Sequence, residues 1–142
     1  MSIVRSHPAV RFSPGVSGDV VAGLLNDGQA DAVAAAAVTE AVRRGARLRF
    51  VQVVDDGLSP EERADADQHT FRSAVRALRG VRGLPCRFEV VTGDPTDTLI
   101  ELSASAAALI IGAHRGRGAE LADRCRADAP CPVIVVDGPS AA

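Results

Sequence analysis

Two short loops hold most of the residue types that do chemistry in this chain. Residues 112–118 read Gly-Ala-His-Arg-Gly-Arg-Gly. A glycine-rich loop that leads into a helix cradles phosphate with backbone N–H groups and the positive end of the helix dipole. Gly112, Gly116 and Gly118 supply the bare backbone, and Arg115 and Arg117 add two guanidinium groups suited to bidentate phosphate contact. His114 lies among them, either as a ligand contact that titrates near neutral pH or as a solvated loop residue. The second loop is Asn26-Asp27-Gly28. The Asp27 carboxylate can accept hydrogen bonds from a ligand, and the same residue is at home as a turn aspartate.

Other chemistries find little support. All 16 basic residues are arginine, so no lysine exists for a phosphate clamp or a Schiff base. The net charge of −2, from 16 basic and 18 acidic residues, lacks the basic excess of a domain that binds nucleic acid through overall charge. His7, His69 and His114 stand far apart, without the spacing of a metal site. Cys125 and Cys131 match neither a zinc pair nor a redox C-x-x-C, and are expected to be buried and inert. Ser103 and Ser105 sit in no nucleophile elbow. Arg72, Arg76 and Arg79 form a basic stripe, either a solvated helix face or a surface for an acidic partner.

The loops need a scaffold, and 142 residues are enough for one domain with a sizeable core. With four Phe and no Trp or Tyr, that core must come from Val, Leu, Ile and Ala. Residues 1–18, with two prolines and two glycines, read as a leader that is loop-like or adds an edge strand; the domain proper spans 19–142. Apolar runs predict strands at Val20–Leu25, Leu48–Val54, Arg87–Val91, Ala108–Ile111 and Val133–Val136. Helices are predicted at Gln29–Arg44, stopped by Gly45, and at Pro60–Arg79. Asp94 as N-cap and Pro95 at the first position open a third, running to about Ala106. A fourth covers Ala119–Asp128. This strict alternation predicts an α/β, three-layer sandwich around a parallel sheet with right-handed crossovers. No run of 18 apolar residues and no signal-peptide pattern is seen, so a soluble cytoplasmic protein is expected.

Val90–Pro95 (VVTGDP), Ala108–Gly118 (ALIIGAHRGRG) and Ala129–Val136 (APCPVIVV) resemble the C-terminal half of the universal stress proteins. Val20–Gly28 with the alanine-rich helix, and Phe50–Asp55, resemble the first two strands of that family. The resemblance implies a five-stranded parallel sheet of order 3-2-1-4-5, of the adenine-nucleotide α-hydrolase-like kind. It also implies a homodimer, often through the last strand, here Val133, Ile134, Val135 and Val136.

One subgroup of the family binds ATP through G-x-x-G-x9-G-[ST]. By resemblance Asp27 matches its acidic position, which holds a ribose or adenine edge, Val53 its second-strand valine, which helps hold the nucleoside, and Gly112 its first glycine. The second glycine falls on Arg115, with Gly116 one place late, and Ala119 and Glu120 stand where Gly and Ser/Thr belong. The phosphate segment is thus shortened, and Glu120 brings a negative charge to it. The resemblance therefore implies a non-catalytic stress-response protein, homodimeric, with a degenerate nucleotide pocket. The alternative is a regulatory module that binds ATP or AMP through Asp27 and the Gly112–Gly118 loop. A slow ATPase ranks last, since no general base, metal cluster or Walker lysine supports it. No metal is expected, no membrane or nucleic-acid partner, and no cofactor beyond that nucleotide.

Overall fold

A computed structural model describes residues 3–5, 18–25, 28–54, 57–113 and 119–137. The strands are β1 (Ile3–Arg5), β2 (Val20–Leu24), β3 (Leu48–Val54), β4 (Cys86–Thr92), β5 (Ala108–Gly112) and β6 (Val133–Val136). The helices are α1 (Ala30–Arg44), α2 (Pro60–Ala77), α3 (Pro95–Leu102) and α4 (Ala119–Asp128). All pairings are parallel, in the order β1-β4-β3-β2-β5-β6. Counted from Val20, the five strands follow the expected 3-2-1-4-5. Ile3–Arg5 adds a sixth at the outer edge, with Ile3 opposite Cys86.

Side chains alternate between the two faces of a strand, and the core divides accordingly. On one face Val20, Ala22, Leu24, Leu48, Phe50, Phe88 and Ile110 pack under α1 and α2. On the other, Val21, Val51, Val53, Leu109 and Ile111 pack against Leu99 of α3 and Leu121, Ala122 and Cys125 of α4. Burying each of the larger side chains contributes about 1.5–3 kcal/mol. The scarcity of aromatics is met by small residues: α1 lays Ala30, Ala34, Ala37 and Ala41 flat on the sheet. Phe71 and Phe88 meet edge to face, with centroids 5.2 Å apart. One polar pair interrupts that face, where Thr70 Oγ1 donates to Gln52 Oε1 at 2.5 Å.

Helix ends follow local chemistry. Gly45 takes φ 63° as the left-handed stop of α1. Ser59 and Glu62 form a reciprocal capping box before Pro60, which fixes the start of α2. The Asp94 side chain accepts the Asp97 N–H at 2.9 Å, as expected of an N-cap. The third helix is shorter than predicted. It ends at Leu102 and tightens into a 3₁₀ turn over Ser103–Ser105, where Ser103 Oγ donates to the Ile100 carbonyl at 2.6 Å. The second stops at Ala77, two residues early, with Leu78 capping it inside the core.

Every helix follows a strand and runs back against it, so all four begin at the carboxyl end of the sheet. Their first turns hold Asp31, Glu61 and Glu62, Asp97, and Glu120. Their last turns hold Arg43 and Arg44, Arg76, and Arg126. Each placement complements a helix dipole. Together they give the domain an acidic carboxyl-end pole, while the end of α1 at the opposite pole is basic.

Candidate functional site

Ligands of open parallel sheets bind beyond the carboxyl ends of the strands, where the strand order turns. Here the turn lies between β2 and β5. These strands pair in register from Val20–Ala108 to Ala22–Ile110. After β2 the chain crosses to the α1 face, and after β5 it crosses to the α4 face. The seam between them is thus where a parallel sheet of this winding has its ligand crevice.

Val53 and Gly112 sit on either side of it. Leu24 lies opposite Gln52, which sets Val53 just past the end of β2. Gly112 ends β5 and pairs with Val136. They stand two strands apart, roughly 10 Å by ordinary inter-strand spacing. Val53 is 7% exposed and belongs to the cluster under α3 and α4, so it forms part of an apolar floor. Asp27, His114, Arg115, Gly116, Arg117 and Gly118 lie outside the described residues.

Two residues of this region escape a reading by motif. Gln29 occupies the N-cap position of α1 without making a capping bond. Its Nε2 instead donates to the Ala113 carbonyl at 2.8 Å, a half-buried bond that ties the two sides of the crevice together. A long amide where Ser, Thr, Asp or Asn is usual was the available signal. Gly23 lies in the middle of β2 on the α3 face. A Cβ there would stand 2.8 Å from Leu99 Cδ1 and 3.2 Å from Ile111 Cγ2, so glycine lets α3 settle onto the strand. A lone glycine inside a strand pattern signals such an approach.

The rim is anionic. Asp94, Asp97 and Glu120 are exposed at the starts of α3 and α4. Asp97 pairs with Arg124 at 3.0 Å, and Asp31 with Arg76 at 2.7 Å. A hydrogen bond from Ser73, and after it one from Arg76, holds the Asp31 carboxyl below its ordinary range, so it stays charged. Only residues 113–118 link β5 to α4. Nothing among the described residues suggests a metal: no group of three His, Cys, Asp or Glu converges. Cys125 is buried with its thiol pushed up to about 11 by desolvation, and Cys131 is half-buried and also raised. Neither is a ready nucleophile at neutral pH. His69, Arg72 and Arg76 on α2, and Arg79 just past its end, are exposed away from this floor. β6 is the sheet edge beyond β5, and all four of its residues are half-buried.

A family model described as the universal stress protein family matches residues 18–137. A universal stress protein of Mycobacterium tuberculosis, found in two strains, is 36% identical over 131 residues. The match takes in 82% of this chain and 47% of that protein, so the chain spans about half the length of the curated relatives it matches. A universal stress protein solved in complex with cAMP superimposes with a TM-score of 0.70 at 16% identity, over 84% of this chain and 97% of that one. One from Archaeoglobus fulgidus, in complex with dAMP, gives 0.68 at 22% identity, over 86% and 99%. At those identities the likeness is one of fold.

The Gly23 contact can be tested. Gly23→Ala should lower stability in urea unfolding by about 1–2 kcal/mol, the usual overpacking cost less the gain from removing a strand glycine. Gly23→Val should cost more. An alanine variant at least as stable as the parent would show that α3 does not depend on this approach.

Proposed function

The chain belongs to the universal stress protein family, and we propose that it is a non-catalytic stress-response module whose crevice takes an adenine nucleotide with one phosphate. The observation that carries this reading is the short link from Gly112 to Ala119, followed at once by the exposed carboxylate of Glu120. Six residues, 113–118, offer few backbone donors to a polyphosphate tail. A carboxylate in the first turn of α4 already satisfies that end of the dipole and repels further negative charge. A monophosphate asks less of the same loop, and Arg115 and Arg117 can neutralise it. Asp27 would hold the nucleoside, with Val53 beneath it and Gly112 at the side. The relatives solved with cAMP and dAMP carry nucleotides of this size. A role without turnover fits the raised cysteine thiols and the missing lysine.

Titration calorimetry of nucleotide-free protein with AMP and with ATP tests the reading. AMP should bind roughly tenfold more tightly than ATP, or better, a difference of about 1.4 kcal/mol. Glu120→Gln should narrow the gap. ATP binding as tight as AMP, unaffected by Glu120→Gln, would overturn the reading.

The same proposal makes the working unit a cytoplasmic homodimer paired along β6. Supporting it, β6 is a strand of four uncharged β-branched residues at the sheet edge, and no strand pairs with its outer side among the described residues. Such an edge invites another strand. Sedimentation velocity should give a dimer for the parent and a monomer for Val135→Lys. A monomeric parent would contradict this arrangement.

A further inference from the structure

The end of the domain farthest from the crevice carries its own surface feature. An open groove of about 260 Å³ lies where α1 ends and where β3 and β4 begin. Val42, Gly45, Arg47, Arg82, Leu84 and Pro85 line it. Val42 is 58% exposed, the one large apolar side chain so exposed among the described residues. Arg82 is exposed and forms no ion pair among the described residues. Arg47 is 44% exposed and forms an ion pair with Asp19 at 3.7 Å.

Helix electrostatics does not account for this pattern. Arg43 and Arg44 cap the dipole of α1, and Glu40 holds both of them. Arg47 and Arg82 belong to no helix. They flank a groove whose backbone is bare at Gly45 and Gly83, where a Cβ would meet nothing within 4 Å. Two arginines, an exposed valine and uncovered backbone make a surface that is apolar at its centre and cationic at its rim. Arginine is also among the residues enriched in protein interfaces.

We propose that this groove docks an extended acidic segment of a partner protein. Carboxylates of the segment meet Arg47 and Arg82, and a small apolar side chain covers Val42. Charge complementarity selects the partner: the acidic pole lies at the other end of the domain, so an acidic segment is drawn here and turned away there. The site is separate from the crevice, and nucleotide and peptide can be held together.

The probe is a short fluorescent peptide in which glutamate and valine alternate, with a control in which lysine replaces glutamate. The acidic peptide should bind the full chain, shift the amide signals of residues 41–47 and 82–85, and weaken as salt rises. Arg82→Glu and Val42→Asp should each cut affinity roughly tenfold, as for a charge or anchor at a small interface. Both substitutions fall on exposed positions, and unchanged melting temperatures would show that the fold persists. If either variant is unstable, Arg82→Gln and Val42→Ser should still weaken binding by several-fold. AMP should not compete. No binding, equal binding of the lysine peptide, indifference to both substitutions, or displacement by AMP would each overturn the proposal.

Discussion

The backbone pairing of β2 with β5 is the seam on which the rest of the domain depends. It joins residues 20–22 to residues 108–110, far apart in sequence, in one parallel register. It is also where the winding reverses. The helices that follow β2 and β3 pack on the α1 face, and those that follow β4 and β5 pack on the other. Topology alone assigns the ligand crevice of such a sheet to this seam, before any side chain is considered. Side chains then refine it. Gln29 bridges its two lips through the Ala113 carbonyl, Val53 closes its floor, and Gly23 lets α3 draw close beneath.

The same winding sets the electrostatics. Because all four helices start at the carboxyl end of the sheet, acids that suit helix starts gather around the crevice. Each stabilises its own helix, and together they disfavour highly charged ligands. A nucleotide site in this fold must therefore overcome a local excess of carboxylate, through its loop and its arginines. A short loop makes that harder as phosphates are added. At the other pole the end of α1 is basic, and Arg47 and Arg82, which belong to no helix, add to it.

Much of the fold was legible in the sequence because its signals are local and strong. Continuous apolar runs fix the buried strands, and Gly45 and Asp94-Pro95 mark helix ends by backbone chemistry. The family resemblance supplied the strand order, which alternation alone cannot. What escaped was non-local. The Gln29 bond spans 84 residues, and its partner is a backbone carbonyl with no residue identity to read. Gly23 is needed because Leu99 lies across it, a contact visible only once α3 is in place. The overlong third helix failed for a local reason: Ser103 turns its hydroxyl onto the Ile100 carbonyl and tightens the last turn, which an apolar period does not register. Of the candidate site residues, Val53 and Gly112 flank the seam, and the loop residues lie outside the described part of the chain.

The proposed function rests on a site for a small adenine nucleotide at one end of the domain, on the β2–β5 seam. Amide chemical-shift mapping of the full chain during addition of AMP tests this most directly. The account predicts shifts concentrated at Leu24, Leu25, Val53, Gly112 and Ala113, with the signals of residues 41–47 and 82–85 unmoved. Shifts centred on the opposite pole, or none at the ends of β2 and β5, would contradict it.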